Sequence, residues 1–284
     1  MSKILIFGPG YLGTRFHNAI EGSVLSKADI ADPVAVREQI ELEKPDAVLN
    51  CAGKTGKPNI DWCETNQFAT YRSNTTGSLV LAEACQEKDI YFVQLASGCI
   101  FYGDSPDPTG WRENDFANPE SVYSRSKYAS DLLLAKIPNV AIVRLRMPID
   151  SIPSPRNLIN KLAAYPKVIN VENSVTVVED LIAAVIALIE KRGTGIFHAV
   201  NQGTMRHQDL IELYNELVDP THTNEWITDD EMMAQGLAKA KRSNCILQNT
   251  RFTELGIQMR PIDIALRDCM EKYAVAWKAR NIDV

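Results

Sequence analysis

The sequence predicts an α/β fold, a doubly wound parallel sheet with a smaller C-terminal lobe, and three observations carry that expectation. Short apolar runs alternate with longer helical patterns through the first half of the 284 residues. A glycine turn joins the first apolar run to the first helical pattern. After Pro148 the alternation loosens, and Pro153 and Pro155 mark a crossover. Strands that alternate with helices imply βαβ units around a buried parallel sheet.

The elements follow in order. Residues 3–7 read as a strand and 11–20 as a helix opened by glycines. Residues 23–25 form a short second strand. Asp32-Pro33 starts a helix, with Asp32 as N-cap and Pro33 in the first turn. Pro45-Asp46 precedes a strand over 47–51. One long helix is expected from about 65 to 87, a strand over 91–96, a helix over 122–136 and a strand over 141–146. Short helices follow, then a buried helix around 181–189 and a strand near 195–200. This pattern assigns residues 1–150 to a nucleotide-binding domain, to which 174–200 return, and 151–284 mainly to a substrate-binding lobe. No repeat or low-complexity tract interrupts it.

Composition narrows the function. Hydrophobic residues make up 45% of the chain and charged residues 23%, which is ordinary for a globule with a sizeable core. Net charge is -6, and no Lys/Arg-rich run supplies the basic face that nucleic acid needs. The apolar runs at 4–7 and 181–189 are too short for a signal peptide or a bilayer span, so a cytoplasmic protein off the membrane is expected. Cysteines 51, 63, 85, 99, 245 and 269 contain no CxxC pair and read as free thiols. The four histidines lack ligand spacing, so no metal is expected.

Gly8-Pro9-Gly10-Tyr11-Leu12-Gly13 is a G-x-G-x-x-G between a strand and a helix. Gly10 lets backbone approach a pyrophosphate, and the helix N-terminus offers N–H groups and partial positive charge. The motif alone also closes ordinary strand–helix turns. Its place at residue 8 of a βαβ chain makes it a Rossmann dinucleotide site. After the second strand an acidic residue would hold a ribose 2′-hydroxyl and a basic one a 2′-phosphate. Ser26 and Lys27 stand there, which favours NADP(H) over NAD(H), although Lys27 also reads as a solvated loop lysine. Asp29 and Ile30 border the adenine. Cys51, Ala52 and Gly53 are small, which suits backbone packed against a cofactor or a tight turn. Asn74, Met147 and Pro148 complete the expected cofactor set, together with Tyr123 and Lys127.

Tyr123-Ser124-Arg125-Ser126-Lys127 is a Y-x-x-x-K with both named ends on one helix face. A nearby ammonium favours the phenolate and draws the tyrosine pKa down. The spacing is common on solvated helices. Its discriminating context is Ser97, a hydroxyl at the end of the preceding strand. Ser97 would bond a substrate carbonyl, Tyr123 would protonate the developing oxyanion, and Lys127 would tune Tyr123 and hold the nicotinamide ribose. Cys99 is either a small buried hydrophobe or an acid–base thiol. Inverting a carbon beside a ketone needs a proton taken from one face and returned on the other, and Lys161 with a lowered pKa could be the second group.

At these residues the chain resembles the extended short-chain dehydrogenase/reductases, and within them the dTDP-4-dehydrorhamnose reductase branch. The resemblance covers nearly the whole chain. It rests on Asp29-Ile30-Ala31-Asp32, residues 45–53, Ser97-Gly98-Cys99-Ile100-Phe101 and the Tyr123/Lys127 pair. The chain is most similar to the plant nucleotide-rhamnose epimerase-reductases, through Gly56-Lys57-Pro58-Asn59-Ile60-Asp61-Trp62-Cys63-Glu64, Arg144-Leu145-Arg146-Met147-Pro148-Ile149, Pro155-Arg156-Asn157, Asn173-Ser174-Val175-Thr176-Val177 and Arg242-Ser243-Asn244.

That resemblance implies 3,5-epimerisation and then NADPH-dependent 4-reduction of a nucleotide 4-keto-6-deoxyglucose, giving a nucleotide-L-rhamnose. It places the epimerising cysteine at Cys99 and the epimerising lysine at Lys161. Monofunctional rhamnose reductases carry an aromatic residue at the first position, whereas the epimerising GDP-fucose synthases keep a cysteine. Thr55, Arg156, Asn157 and Arg242, with Ser97 and Cys99, are the expected substrate contacts; arginine suits a diphosphate, and each arginine also reads as a surface residue. One departure stands out: the family motif is G-x-x-G-x-x-G, and here the first two glycines are one residue closer. Two other readings stay open, a reductase without epimerase activity and a non-catalytic NADP-binding regulatory subunit. The intact Ser97/Tyr123/Lys127 set argues against the second. UDP and dTDP remain equal, and a homodimer is possible.

Overall fold

A computed structural model describes residues 2–57 and 59–281. Pro58, within one of the matched stretches, and the last three residues of the expected C-terminal lobe lie outside the described residues.

The chain divides into two compact units. The first runs to Ile100 and includes Glu113–Arg144 and Val185–Phe197; the second comprises Phe101–Arg112, Leu145–Ala184 and the chain from His198 onward. The first unit is built on a six-stranded parallel sheet with flanking helices. Its strands are β1 (Ile4–Phe7), β2 (Val24–Ser26), β3 (Ala47–Asn50), β4 (Tyr91–Ser97) and β5 (Val140–Leu145), closed at one edge by the later strand Gly195–Ala199. Every residue of β1, β3, β4 and β5 is buried. Strands covered on both faces read as continuous apolar runs, which is why the runs in the sequence announce the sheet so clearly. Leu5, Phe7, Val48, Phe92 and Ile142 form its core with Val36, Ile40 and Leu81 from the covering helices.

β1 pairs in parallel with β2 on one side and β3 on the other. The winding direction therefore reverses between β1 and β3. In an open α/β sheet, ligands bind at the carboxyl ends of the strands where that reversal occurs. The glycine turn after β1 and residues 51–53 after β3 sit at those ends.

α1 (Tyr11–Ala19) and α2 (Pro33–Glu43) form as expected. Asp32 Oδ1 accepts from the N–H groups of Val34 at 3.0 Å and Ala35 at 3.2 Å, capping α2. The expected single helix over 65–87 is instead four pieces: α3 (Asp61–Thr65), α4 (Gln67–Tyr71), a π turn over Arg72–Thr76 and α5 (Gly77–Gln86). Asn66 causes the first break, leaving helical backbone at φ -128° while its side chain bonds the Trp62 carbonyl. α6 (Val122–Leu134) completes this part of the unit.

The second unit holds three two-stranded ladders: β6 (Pro148–Ile149) with β9 (Thr176–Val177), β7 (Lys167–Ile169) with β12 (Glu225–Ile227), and β8 (Glu172–Asn173) with β11 (Met205–Arg206). α7 is Leu158–Ala164, α8 is Val178–Lys191, and β10 is the Gly195–Ala199 edge strand. α9 (His207–Leu217), the short α10 (Asp229–Ala234) and α11 (Thr250–Glu254), and α12 (Ile262–Asn281) follow. Ile159, Leu162, Leu210, Ile211, Leu266 and Met270 pack its core. Segment 101–112 groups with this unit because Trp111 stacks on Phe101 at 4.7 Å and exchanges backbone bonds with Ile246 and Gln248. Among the described residues no helix is long and apolar enough to cross a membrane.

Candidate active site

The three motif glycines are small for different reasons. Gly8 has φ +93°, and a Cβ there would lie 2.4 Å from the Ala52 nitrogen. At Gly13 a Cβ would lie 2.0 Å from the Gly8 carbonyl oxygen. Both are required by the chain's own packing, which locks the turn after β1 against the residues after β3. A Cβ on Gly10 would meet no protein atom within 4 Å. Gly10 is the N-cap of α1, with no side-chain cap and no acidic residue in the first turn. Open space before uncapped helix N–H groups is the cradle a pyrophosphate requires. Tyr11 and Leu12, half-buried, open that helix. The residues present fit a dinucleotide.

Around the expected adenosine end the side chains divide. Lys27 is exposed. The Ser26 hydroxyl is taken up internally, donating to Gln39 Oε1 at 3.1 Å and accepting from the Ala28 N–H. Asp29 is exposed and bonds the Ala31 N–H, and Arg72 lies 3.9 Å from its carboxylate. Ile30 is buried, packed where a Cβ on Gly77 would clash.

Ser97 ends β4, and its Oγ accepts from the Cys99 N–H at 3.0 Å. The Ser124 hydroxyl donates to the Cys99 carbonyl at 2.6 Å, tying that turn to α6. α6 begins firmly: Ser121 Oγ caps the Ser124 N–H at 3.1 Å, and Glu64 Oε1 accepts from the Val122 N–H at 2.8 Å. Tyr123 is thereby brought near Ser97 and Cys99. Burial raises the Tyr123 pKa, the neighbouring Cys99 adds to that, and Ser97 opposes it. The phenol thus keeps its proton at neutral pH.

Lys127 stands one turn after Tyr123 on α6. It is buried, its Nζ donates to the Leu95 carbonyl at 2.9 Å, and the charged group that acts on it is Asp131. Burial lowers its own pKa while Asp131 opposes the fall.

The π turn carries a clamp. Asn74 Oδ1 accepts from the Lys54 N–H at 2.6 Å, and its Nδ2 donates to the Lys54 carbonyl and to Ser126 Oγ. Ser126 Oγ in turn donates to the Tyr123 carbonyl at 2.7 Å. One amide thus holds the loop carrying Cys51, Ala52, Gly53 and Thr55 against the helix of Tyr123 and Lys127. π turns cluster at functional sites. The sequence signal for this one was a polar Arg-Ser-Asn-Thr-Thr run inside a helical pattern.

In the second unit Lys161 lies on α7, half-buried, its pKa lowered by burial and by Arg156. Asn157 is fully buried and caps α7. Its Oδ1 accepts from Ile159 and Asp150 N–H groups, and its Nδ2 donates to the Asp150 and Ile152 carbonyls. All its bonding capacity is therefore internal, which leaves none for a substrate. Met147, just before Pro148, has φ +40°, a strained conformation for a residue with a side chain. Arg242 is half-buried. Sequence reasoning passed over Arg146, which is fully buried and bonds Asn173 Oδ1 and both oxygens of Ser243. Among the described residues no three His, Cys, Asp or Glu side chains could share a metal.

A family model described as the RmlD substrate binding domain matches residues 2–275. The bifunctional dTDP-4-dehydrorhamnose 3,5-epimerase/dTDP-4-dehydrorhamnose reductase of Arabidopsis thaliana is 38% identical over 261 residues, 88% of this chain and 86% of that one. A trifunctional UDP-glucose 4,6-dehydratase/UDP-4-keto-6-deoxy-D-glucose 3,5-epimerase/UDP-4-keto-L-rhamnose-reductase of the same plant is 32% identical over 282 residues; the match takes in 95% of this chain and 42% of that relative. The crystal structure of the UDP-rhamnose synthase of Acanthamoeba polyphaga mimivirus superposes with a TM-score of 0.89 at 31% identity, covering 95% of this chain and 99% of that one.

Proposed function

From the fact that the chain belongs to the RmlD substrate-binding domain family, we propose that it is a bifunctional 3,5-epimerase and NADPH-dependent 4-keto reductase, converting a UDP- or dTDP-linked 4-keto-6-deoxyglucose to the nucleotide-L-rhamnose. The observation that carries the reading is Tyr123, set beside Ser97 and the Cys99 thiol and kept protonated by burial.

Ser97 bonds the C4 carbonyl oxygen and draws its electrons. That makes the hydrogens on C3 and C5 acidic. Cys99 and Lys161 are the acid–base pair: one takes a proton from the ring carbon, the other returns one to the opposite face, and the carbonyl oxygen carries the negative charge in between. A lysine with a lowered pKa suits this exchange near neutral pH. The turn over Gly8, Gly10 and Gly13 would hold NADPH, Lys27 would bind its 2′-phosphate, and the bound cofactor would supply the hydride that C4 takes up. Tyr123 delivers its proton to the resulting C4 oxyanion, and Lys127 steadies that end of the site.

Incubation of the 4-keto-6-deoxy substrate in D₂O without NADPH tests the epimerase half. Deuterium is expected at C3 and C5, read by NMR, and Cys99→Ala abolishes the exchange while sparing reduction of pre-epimerised substrate. An unlabelled substrate after incubation with the wild-type enzyme leaves a reductase alone.

A further inference from the structure

Three buried charged groups lie in sequence behind Tyr123, and the chemistry above uses only the first. Lys127 and Asp131 stand one turn apart on α6 and share a face. Arg144, near the end of β5, donates from Nε to Asp131 Oδ2 at 2.8 Å, with both side chains 1% exposed. Its Nη1 donates to the Glu113 carbonyl at 3.2 Å, which fixes the guanidinium. Asp131 Oδ1 is also buried and accepts no hydrogen bond from the described residues. A carboxylate in a dry interior is costly unless cations compensate it. Arg144 approaches it from β5, and Lys127 precedes it on the helix.

We propose that Asp131 is a positioning residue for the reductase centre: anchored by Arg144, its carboxylate holds the Lys127 ammonium charged and in place. The proposal rests on the reading of Lys127 given above. The groups around Lys127 support it. The Leu95 carbonyl of β4 accepts its hydrogen bond. The Cys51 thiol at the end of β3 is pushed up by burial and so stays neutral. Tyr123, one turn earlier on α6, also keeps its proton. Asp131 is then the anion that opposes the desolvation of Lys127. Burial raises the Asp131 pKa, and Arg144 and then Lys127 oppose that rise. Removing the carboxylate leaves a buried ammonium with one carbonyl, and such a lysine sheds its proton.

The test is a ¹³C NMR titration of the full chain carrying ¹³Cε-labelled lysine, without substrate or cofactor, with the Lys127 signal assigned by its loss in Lys127→Met. In Asp131→Asn the Lys127 midpoint is expected to fall by at least about one pH unit, a tenfold change in proton affinity; in Asp131→Glu it returns toward wild type. Replacing the pair with apolar residues of similar volume, Asp131→Leu with Arg144→Met, reads the same quantity if the single variant does not fold, since such exchanges of buried ion pairs preserve folds. An unmoved midpoint in whichever of these variants folds overturns the proposal. The alkaline limb of kcat shifts to lower pH with the midpoint, and the KM for the carbonyl substrate holds. The titration needs no substrate, so its failure removes the role of Asp131 and leaves the proposed reaction standing. A wild-type enzyme that reduces no 4-keto sugar removes that reaction and leaves the titration standing.

Discussion

Gly10 and Gly13 share one turn, and a side chain at each meets opposite surroundings. At Gly13 a Cβ runs into the Gly8 carbonyl, and at Gly10 it runs into open space. Gly13→Ala is therefore expected to destabilise the fold by about 3 kcal/mol, the upper range for overpacking, read as a lowered denaturant midpoint. Gly10→Asp supplies a good N-cap, so the thermal midpoint holds. Its carboxylate faces the cradle, and NADPH affinity falls by about a hundredfold or more by fluorescence titration, roughly 2.7 kcal/mol. The motif was legible in the sequence because it stands between the first strand and the first helix of a βαβ chain. Which glycine serves the chain and which serves the ligand was not legible, since that depends on what stands opposite each one. Asn157 teaches the same lesson. Its place in a matched stretch suggested a substrate contact, and four internal hydrogen bonds make it the cap of α7.

The start of α6 depends on a group distant in sequence as well as on a local one. Ser121 caps it locally, and Glu64, from α3, takes a second N–H. Ser121→Ala is expected to cost about 1 kcal/mol in urea unfolding and to lower kcat, because the first turn it holds carries Tyr123. Start signals such as Asp32-Pro33 are local and were readable. The break of the 65–87 helix was not, because Asn66 turns its amide back onto the Trp62 carbonyl, and Asn74, in the π turn, bonds Lys54, distant in sequence. Helical periodicity reports apolar spacing, and the residues of the π turn are mostly polar.

Across the whole molecule, stability is expected to depend on pH through His207. It is buried, its Nδ1–H donates to the Ile169 carbonyl, and its Nε2 has no partner among the described residues. Burial lowers its pKa below the ordinary 6.5. As pH falls, the unfolded chain takes up the proton first. The stability this group confers is complete above about 6.5 and is lost as pH falls below it toward the folded value. The thermal midpoint of wild type is expected to drop between pH 7.5 and 5.5 by more than that of His207→Asn, which keeps the donor and cannot titrate. Equal drops sink the assignment. The parallel sheet was legible at this scale because its strands are apolar on both faces. The grouping of 101–112 with the second unit was not, because it rests on Trp111 meeting Phe101 and residues 246–248.

The π turn at Arg72–Thr76 is also a matter of rotational phase. Each residue of an α-helix advances by about 100°, so a helix with one residue too many must either rotate everything beyond it or absorb the excess in a wider turn. Here the excess is absorbed where Asn74 faces the loop after β3, while α5 keeps its apolar side on the sheet. Deleting one residue from this turn would restore an unbroken helix, and the two faces would then compete: either α5 stays seated and Asn74 swings away from Lys54, or the clamp survives and α5 lifts Leu81 and Cys85 out of the core.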